Sequence, residues 1–218
     1  MKHYLTFFFL FMLGSFVGFI HENLLTILKG DLILRQGLIY GPFIVIYGIG
    51  LVAFYYIFSY LKSRSNFDKK SRLAQFFFVF LVGFLVGGIT EYLSSYIQEK
   101  AFGTISWDYS NLMLDLNGRT SLFHSIFWGL MSLFFYEILL PILTRMSDRL
   151  ERPAIKNTIF ILSLFMIFDI SISALAVHRQ SERRNDVPAR GRFDTFLDET
   201  YPDARLDAIF SNSRVPER

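Results

Sequence analysis

The chain has 218 residues, of which 52% are hydrophobic and 26 are phenylalanine, an apolar content that a soluble domain of this size rarely requires. Its net charge of +3 is carried by residues between long apolar runs, which is typical of membrane loops and does not indicate a nucleic-acid partner. The chain contains no cysteine, which excludes disulfides, thiol catalysis and thiolate metal sites.

Five apolar runs follow one another, each close to the roughly 20 residues that a helix needs to cross the hydrocarbon core. Because lipid offers no partners to open backbone groups, runs of this length predict helices. The predicted spans cover residues 4–20, 39–61, 73–97, 121–143 and 158–177. The expected fold class is all-α: a polytopic transmembrane helix bundle of residues 1–178, followed by a charged, amphipathic C-terminal tail of residues 179–218.

Basic residues in the short connections predict the orientation of the bundle. They are concentrated in the second and fourth connections: Lys62, Arg64, Lys69, Lys70, Arg72, Arg145, Arg149, Arg152 and Lys156. Connections rich in Lys and Arg remain in the cytoplasm. We therefore expect the N-terminus inside, and residues 22–38, residues 98–119 and the tail outside. Arg179, Arg183 and Arg184 directly follow the last span and are the weakest point of this orientation.

Four glycines form two Gly-x3-Gly pairs within predicted spans, Gly14 with Gly18 and Gly83 with Gly87, and Gly37 with Gly41 forms a third at the start of the second span. Glycines at this spacing share one helix face and allow two helix backbones to approach closely. The pairs predict a compact bundle and are compatible with a homo-oligomer.

Ionisable residues within the spans are the first indication of a functional site. Glu91, His124, Glu137 and Asp169 lie inside predicted helices, and Glu22 lies at the outer end of the first. Such groups cost a few kcal/mol on insertion scales and usually face a bundle interior or a wet cavity. All except Glu137 are predicted in the outer half of the bilayer. They favour an outward-facing polar cavity; the alternative is that each pairs with a neighbouring helix and only fixes the bundle.

The outer connection before the fourth span carries Trp107, Asp108 and Tyr109, and then Asn117 and Arg119 around a Gly turn. An interfacial aromatic belt explains the rings. An aromatic belt does not explain the charged residues Asp108 and Arg119, which suit recognition of a polar or phosphorylated head group. We expect Arg119, Glu91 and Asp169 to face one shared cavity.

Residues 35–50 are rich in glycine and contain Arg35, Tyr40, Pro42 and Tyr47. Pro42 is expected in the first turn of the second span, where its missing N–H costs little. The composition predicts a loosened helix start lining the same cavity.

Together these segments resemble the bacterial "putative ABC-transporter permease" family, also called CmpB-type. The resemblance lies in Gly18 to Glu22, in Arg35 to Gly50, and most strongly in Glu91-Tyr92, Glu99 to Gly103, Trp107 to Ser110, Asn117 to Arg119 and Trp128-Gly129; it extends to Asp169 and the Arg179 to Arg183 region. Ser106 and Asp115 depart from the pattern. The resemblance implies a multi-pass protein of the bacterial cytoplasmic membrane that works with an ATPase subunit in trans.

Two functions remain open, beside a third possibility of a scaffold whose polar groups only order the bundle. The first is a transport component whose cavity receives a small polar or lipid-linked solute. The second is an intramembrane enzyme acting on a lipid-linked or phosphorylated substrate at the outer leaflet. The chain lacks the Gly-x4-Gly-Lys-Ser/Thr loop, so we expect it to hold no cofactor of its own and to use ATP only through a partner. No metal site is expected. The candidate substrate-binding residues are Glu22, Arg35, Tyr40, Tyr47, Glu91, Trp107, Asp108, Tyr109, Asn117, Arg119, His124 and Asp169.

Overall fold

The computed structural model describes residues 2–28, 30, 37–64, 66–67, 69–147 and 149–216. Five of its helical segments are long and apolar enough to cross a membrane, which confirms the all-α polytopic bundle. The helices are α1 (Lys2–Leu28), α2 (Val45–Ser63), α3 (Arg72–Phe102), α4 (Leu122–Phe134), α5 (Leu140–Ser147), α6 (Pro153–Arg184), α7 (Arg192–Thr200) and α8 (Asp203–Ile209). Strands β1 (Asp115–Leu116) and β2 (Thr120–Ser121) form a hairpin before α4.

Two of the long helices, α3 and α6, have recognisable capping or first-turn residues. Ser71 precedes α3, and its hydroxyl accepts the N–H of Ala74 at 3.3 Å. The helix ends at Gly103, whose φ of 66° lies in the left-handed region and whose N–H bonds to the Glu99 carbonyl at 2.9 Å. Pro153 begins α6, where its missing N–H leaves no intrahelical bond unmade. Both helices therefore extend beyond the spans predicted from apolarity alone.

The second span begins later than the sequence predicts. Residues 37–44 are not helical: Gly41 has a φ of +80°, and Pro42 follows it without an N–H to donate. The N–H of Ile44 instead bonds to the Ser15 carbonyl at 2.9 Å, which ties this segment to α1. The expectation that Pro42 lies in the first helical turn is therefore wrong, and Gly37 and Gly41 do not share a helix face.

The fourth span changes helical pitch in its middle. Phe135–Leu139 forms one π-helical turn between α4 and α5, and the N–H of Leu140 bonds to the Phe135 carbonyl. Pro141 follows at once, and in an α-helix its ring would clash with the carbonyl four residues earlier. The wider turn accommodates the proline. Glu137 lies in this turn and forms an ion pair of 2.6 Å with Arg72, at the end of α3 opposite Glu91.

Glycines set the two closest helix contacts. A Cβ on Gly18 would lie 2.4 Å from the Tyr47 ring, where α1 crosses α2. A Cβ on Gly87 would lie 2.1 Å from the Trp128 side chain, where α3 runs along α4. The predicted glycine contacts within α1 and α3 are thus real packing surfaces. Between them, Phe54, Phe58 and Trp128 form the centre of the aromatic core.

The tail folds back on the end of the last span. Leu206 and Phe210 of the α8 region are buried against Ala176 and Val177 of α6. Because α6 continues to Arg184, the predicted boundary at residue 178 falls inside a continuous helix.

Candidate functional site

A cavity of about 950 Å³ lies at the end of the bundle that carries the β-hairpin. Its wall is formed by the end of α1, the start of α2, the second half of α3, the start of α4 and the connections between them. Of the twelve predicted site residues, seven line it: Glu22, Tyr47, Glu91, Trp107, Asp108, Tyr109 and His124. The structure therefore brings together residues from four spans and one connection that are far apart in sequence.

Glu91 is the buried carboxylate of the wall, with 6% of its surface exposed. One oxygen accepts a hydrogen bond from the Thr120 hydroxyl at 2.8 Å, and the other accepts one from the Tyr109 hydroxyl at 3.2 Å. Two neutral donors satisfy part of its hydrogen-bonding capacity without cancelling its charge. Glu91 also fixes the outer connection to α3, since Thr120 lies in β2.

Glu22 forms a second polar centre across the cavity. The Tyr47 hydroxyl donates to the Glu22 carboxylate at 2.5 Å, and the same hydroxyl lies 3.2 Å from Nδ1 of His21. The ring of His21 stacks on Phe127 at 5.9 Å between ring centres. The close approach of α1 and α2 at Gly18 brings these groups into contact.

His124 and Tyr109 form an aromatic pair beside Glu91. Their ring centres are 3.7 Å apart and the planes are inclined by 14°. The Ser121 hydroxyl lies 2.9 Å from Nδ1 of His124 and also accepts the backbone N–H that starts α4. An imidazole, a phenol and a carboxylate are thus held in one contact series at the cavity wall.

The connection between α3 and α4 is fixed by its own backbone. Nε1 of Trp107 donates to the Arg119 carbonyl at 2.8 Å, and the N–H of Tyr109 bonds to the Gly118 carbonyl at 2.8 Å. A Cβ on Gly118 would lie 2.5 Å from the Asp108 carboxylate, so only glycine fits this turn without displacement. These contacts make the motif a rigid part of the wall.

Asp108 is held in its ionised form by local hydrogen bonding. Its carboxylate accepts the N–H of Ser110 at 2.9 Å, and this bond keeps the pKa of Asp108 below its ordinary value. Arg214 of the tail adds a distant ionic contact at 3.8 Å. Asp108 therefore presents a negative charge at the rim of the cavity.

The predicted shared cavity of Glu91, Arg119 and Asp169 is not what the structure shows. Neither Arg119 nor Asp169 lines the cavity. Arg119 forms an ion pair with Glu99 and lies over the ring of Tyr96 at 5.4 Å. Similar depth along the bundle did not imply the same face, because helix rotation decides which side chains meet.

Asp169 belongs to a separate polar contact between α6 and the segment before α2. The Ser173 hydroxyl lies 3.4 Å from its carboxylate, and the N–H of Tyr40 donates to that hydroxyl at 3.2 Å. Tyr40 packs on Tyr201 and Phe210 of the tail rather than on the cavity.

The two remaining candidates, Asn117 and Arg35, are not among the described residues that line the cavity. Asn117 occupies a left-handed turn position with a φ of 55° and is exposed. Arg35 lies outside the described residues.

Among the wall and support residues that the sequence did not predict are His21, Thr120 and Trp128. His21 and Trp128 belonged to the quoted motifs and could have been found there. Thr120 carried no signal, since a threonine after a turn is ordinary. In the part of the chain that the structure describes, no three His, Asp or Glu side chains are grouped as metal ligands would be.

Comparison with known proteins gives the family. No curated protein and no solved structure matched the chain. A family model described as "Putative ABC-transporter type IV" matches residues 9–174. This range covers about three quarters of the chain and includes every wall residue named above from Glu22 to Trp128. The chain therefore belongs to this family, the CmpB-type membrane proteins that its outer-connection motif resembles.

Proposed function

We propose that this protein is the membrane component of an ABC transporter and that the cavity receives its solute. The N-terminus lies in the cytoplasm and the cavity opens toward the outer face of a bacterial plasma membrane. The family and the five apolar helices support a membrane-bound transporter component. The orientation rests on the two Lys- and Arg-rich connections.

The observation that carries the proposal is the mixed chemistry of the cavity wall. Glu22, Glu91 and His124 provide polar groups, whereas Leu25, Ile49, Ile97 and Phe102 provide apolar surface in the same space. Ligand sites commonly combine a mainly apolar wall with a few fixed polar groups. Such a wall suits a small solute or a lipid-linked molecule that has both a polar and an apolar part.

Energy for transport has to come from another chain. The sequence has no P-loop, so an ATPase subunit in trans is the expected partner, and a homodimer would supply additional spans. In this orientation, such a subunit would meet the cytoplasmic end of the bundle, which carries the two Lys- and Arg-rich connections.

A second candidate, an intramembrane enzyme, is favoured by one observation. Tyr109 donates to Glu91 and stacks on His124, so an acid, a phenol and an imidazole are in contact at the wall. Such an enzyme would convert a lipid-linked substrate without ATP. The transporter proposal predicts instead that function requires the ATPase partner.

The test combines partner recovery with a variant of the cavity. The detergent-solubilised protein is expected to co-purify an ATPase. In a deletion strain, the change in cellular lipids and polar metabolites should be reversed by the wild-type protein but not by Glu91→Gln, because glutamine carries no charge and its NH2 group replaces one of the two oxygens that accept from Thr120 and Tyr109.

Glu151→Gln is the matched control, since Glu151 is exposed in the connection before α6. It should restore the wild-type profile. Full restoration by Glu91→Gln, or a purified protein that converts the accumulated compound without any ATPase, would contradict the transporter proposal.

A further inference from the structure

A second, smaller pocket lies at the opposite end of the bundle from the cavity. Its volume is about 310 Å³, and it lies between the last turns of α2 and the start of α5. The residues that line it are Ser59, Lys62, Leu140, Pro141, Thr144 and Arg145. On α5 these positions fall on one helix face, so the pocket is a groove between two spans.

The charge of this groove is positive and uncompensated in the described part of the chain. Lys62 and Arg145 come from different helices, and neither forms an ion pair there. The six lining residues include no carboxylate. The Lys62 ammonium lies 4.7 Å from the centre of the Tyr136 ring, and this cation–π contact restricts the position of the lysine.

One hydroxyl of the groove is available to donate a hydrogen bond to a ligand. The Oγ atom of Ser59 is buried and has no hydrogen-bond partner among the described residues. A buried hydroxyl without a partner costs free energy, which a ligand oxygen placed there would recover. Thr144 already donates to the Leu140 carbonyl at 2.7 Å, so Ser59 is the free donor.

The depth of the groove indicates what reaches it. Lys62 lies in the last turn of α2, at the level where a span leaves the hydrocarbon core. Around it, Tyr60 and Ile142 are 56% and 46% exposed, as expected for side chains that face lipid. An anion at this place lies among phospholipid head groups, and basic grooves between spans are suited to bind them.

We propose that this groove binds the phosphate of an anionic phospholipid head group. Lys62 and Arg145 contact the phosphate oxygens from two sides, and Ser59 donates a hydrogen bond to it. The acyl chains lie along the exposed apolar surface of α2 and α5. The bound lipid links the two helices and stabilises the end of the bundle next to the π-helical turn.

The test measures thermal unfolding of the purified full chain in a neutral detergent with added phosphatidylglycerol or phosphatidylcholine. Phosphatidylglycerol should raise the midpoint of the wild-type protein more than phosphatidylcholine does. The double variant Lys62→Ala, Arg145→Ala should lose at least half of that difference. Native mass spectrometry should show the same loss in retained anionic lipid.

The matched control is Lys69→Ala, Lys70→Ala, which removes the same charge from exposed residues outside the groove. It should retain the wild-type response. If both double variants lose the same part of the phosphatidylglycerol response, the response reflects general surface charge, and the proposal is overturned. An equal midpoint rise with millimolar inorganic phosphate would show a free-anion site instead of a lipid site. If the Lys62→Ala, Arg145→Ala variant keeps its response to phosphatidylglycerol but no longer co-purifies an ATPase, the groove binds a protein partner, and the lipid proposal is overturned.

Discussion

Arg179 shows how a charge at the end of a span is stabilised. Its side chain is only 3% exposed, and its guanidinium donates to both oxygens of Asp198 at 2.9 and 3.0 Å. Glu182 accepts a further bond at 3.0 Å. A forked contact of this kind is stronger than a single ionic bond. The arginines that made the tail's orientation uncertain from sequence are therefore paired with acidic residues of the tail.

The docking of the tail should depend on pH through Asp198. Hydrogen bonds from Arg179 and Arg183 hold the pKa of this carboxyl below its ordinary value of about 3.9. A carboxyl with a lowered pKa in the folded state contributes stability above its ordinary pKa, and this contribution is lost as pH falls through the folded value. Tail docking should be constant from pH 5 to 7 and weaken below about pH 4.

Asp198→Asn should release α7 from α6. Loss of charged hydrogen bonds to a buried guanidinium should cost about 1.5–3 kcal/mol of local stability, because Arg179 is left partly unpaired. Hydrogen exchange of the α7 amides at pH 7 should become faster. Asp186→Asn, an equal charge change at an exposed residue of the same segment, should leave the exchange rate unchanged. Equal rates in the wild type and Asp198→Asn would show that the Arg179–Asp198 contact does not hold α7 on α6.

At the level of helices, the tightest packing lies between α3 and α4. A Cβ on Gly87 would overlap Trp128, whose ring also contacts Tyr47 and Phe54 in the core. The Trp128 side chain is buried and has no room to move away from an added Cβ. This contact therefore limits what α3 can tolerate at this position.

Gly87→Ala should destabilise the bundle by about 1–3 kcal/mol, the usual cost of overpacking a well-filled core. The measurement is the thermal midpoint of the purified protein in detergent. Gly191→Ala is the control, since no atom lies within 4 Å of a Cβ at that position and its backbone is extended. A midpoint for Gly87→Ala equal to that of the control would show that the two helices are not in this contact.

The sequence was most informative for the long helices. Run length identified all five spans, because in lipid a helix has to satisfy its own backbone over the full thickness of the core. The start of α2 was misplaced since Gly41 and Pro42 interrupt the backbone where the side chains remain apolar. The π-helical turn was not predicted. It arises because Pro141 lies within a span that tertiary packing keeps helical, and the wider turn accommodates the proline ring.

The candidate site was predicted only in part. Residues of one motif stay close in space, so Trp107, Asp108 and Tyr109 were placed together without knowledge of helix rotation. Asp169 was assigned to the cavity of Glu91 from its similar depth, and Arg119 from its place at the membrane boundary after the Asn117-Gly118 turn. Depth follows from residue number, but the facing side depends on how each helix turns against its neighbours, and a single sequence does not contain that information.

On the scale of the whole molecule, orientation decides whether the cavity receives solute from outside. Since the chain has no cysteine, single introduced cysteines report one site each. One is Met113→Cys in the exposed connection between α3 and α4, and the other is Asn66→Cys in the basic connection before α3. A membrane-impermeant maleimide should label the first in intact cells and the second only after permeabilisation. The reverse pattern would place the N-terminus outside.

The most direct test of the account is to block the cavity in place. Ser94 lies in the cavity wall on α3, one turn from Glu91, and is half-buried. In a deletion strain that produces Ser94→Cys, labelling with a bulky impermeant maleimide should bring back the deletion phenotype. The same label on Met113→Cys should leave the protein functional. The loss of function should be proportional to the labelled fraction of Ser94→Cys. Full function with a completely labelled Ser94→Cys protein would contradict the claim that this cavity receives the solute.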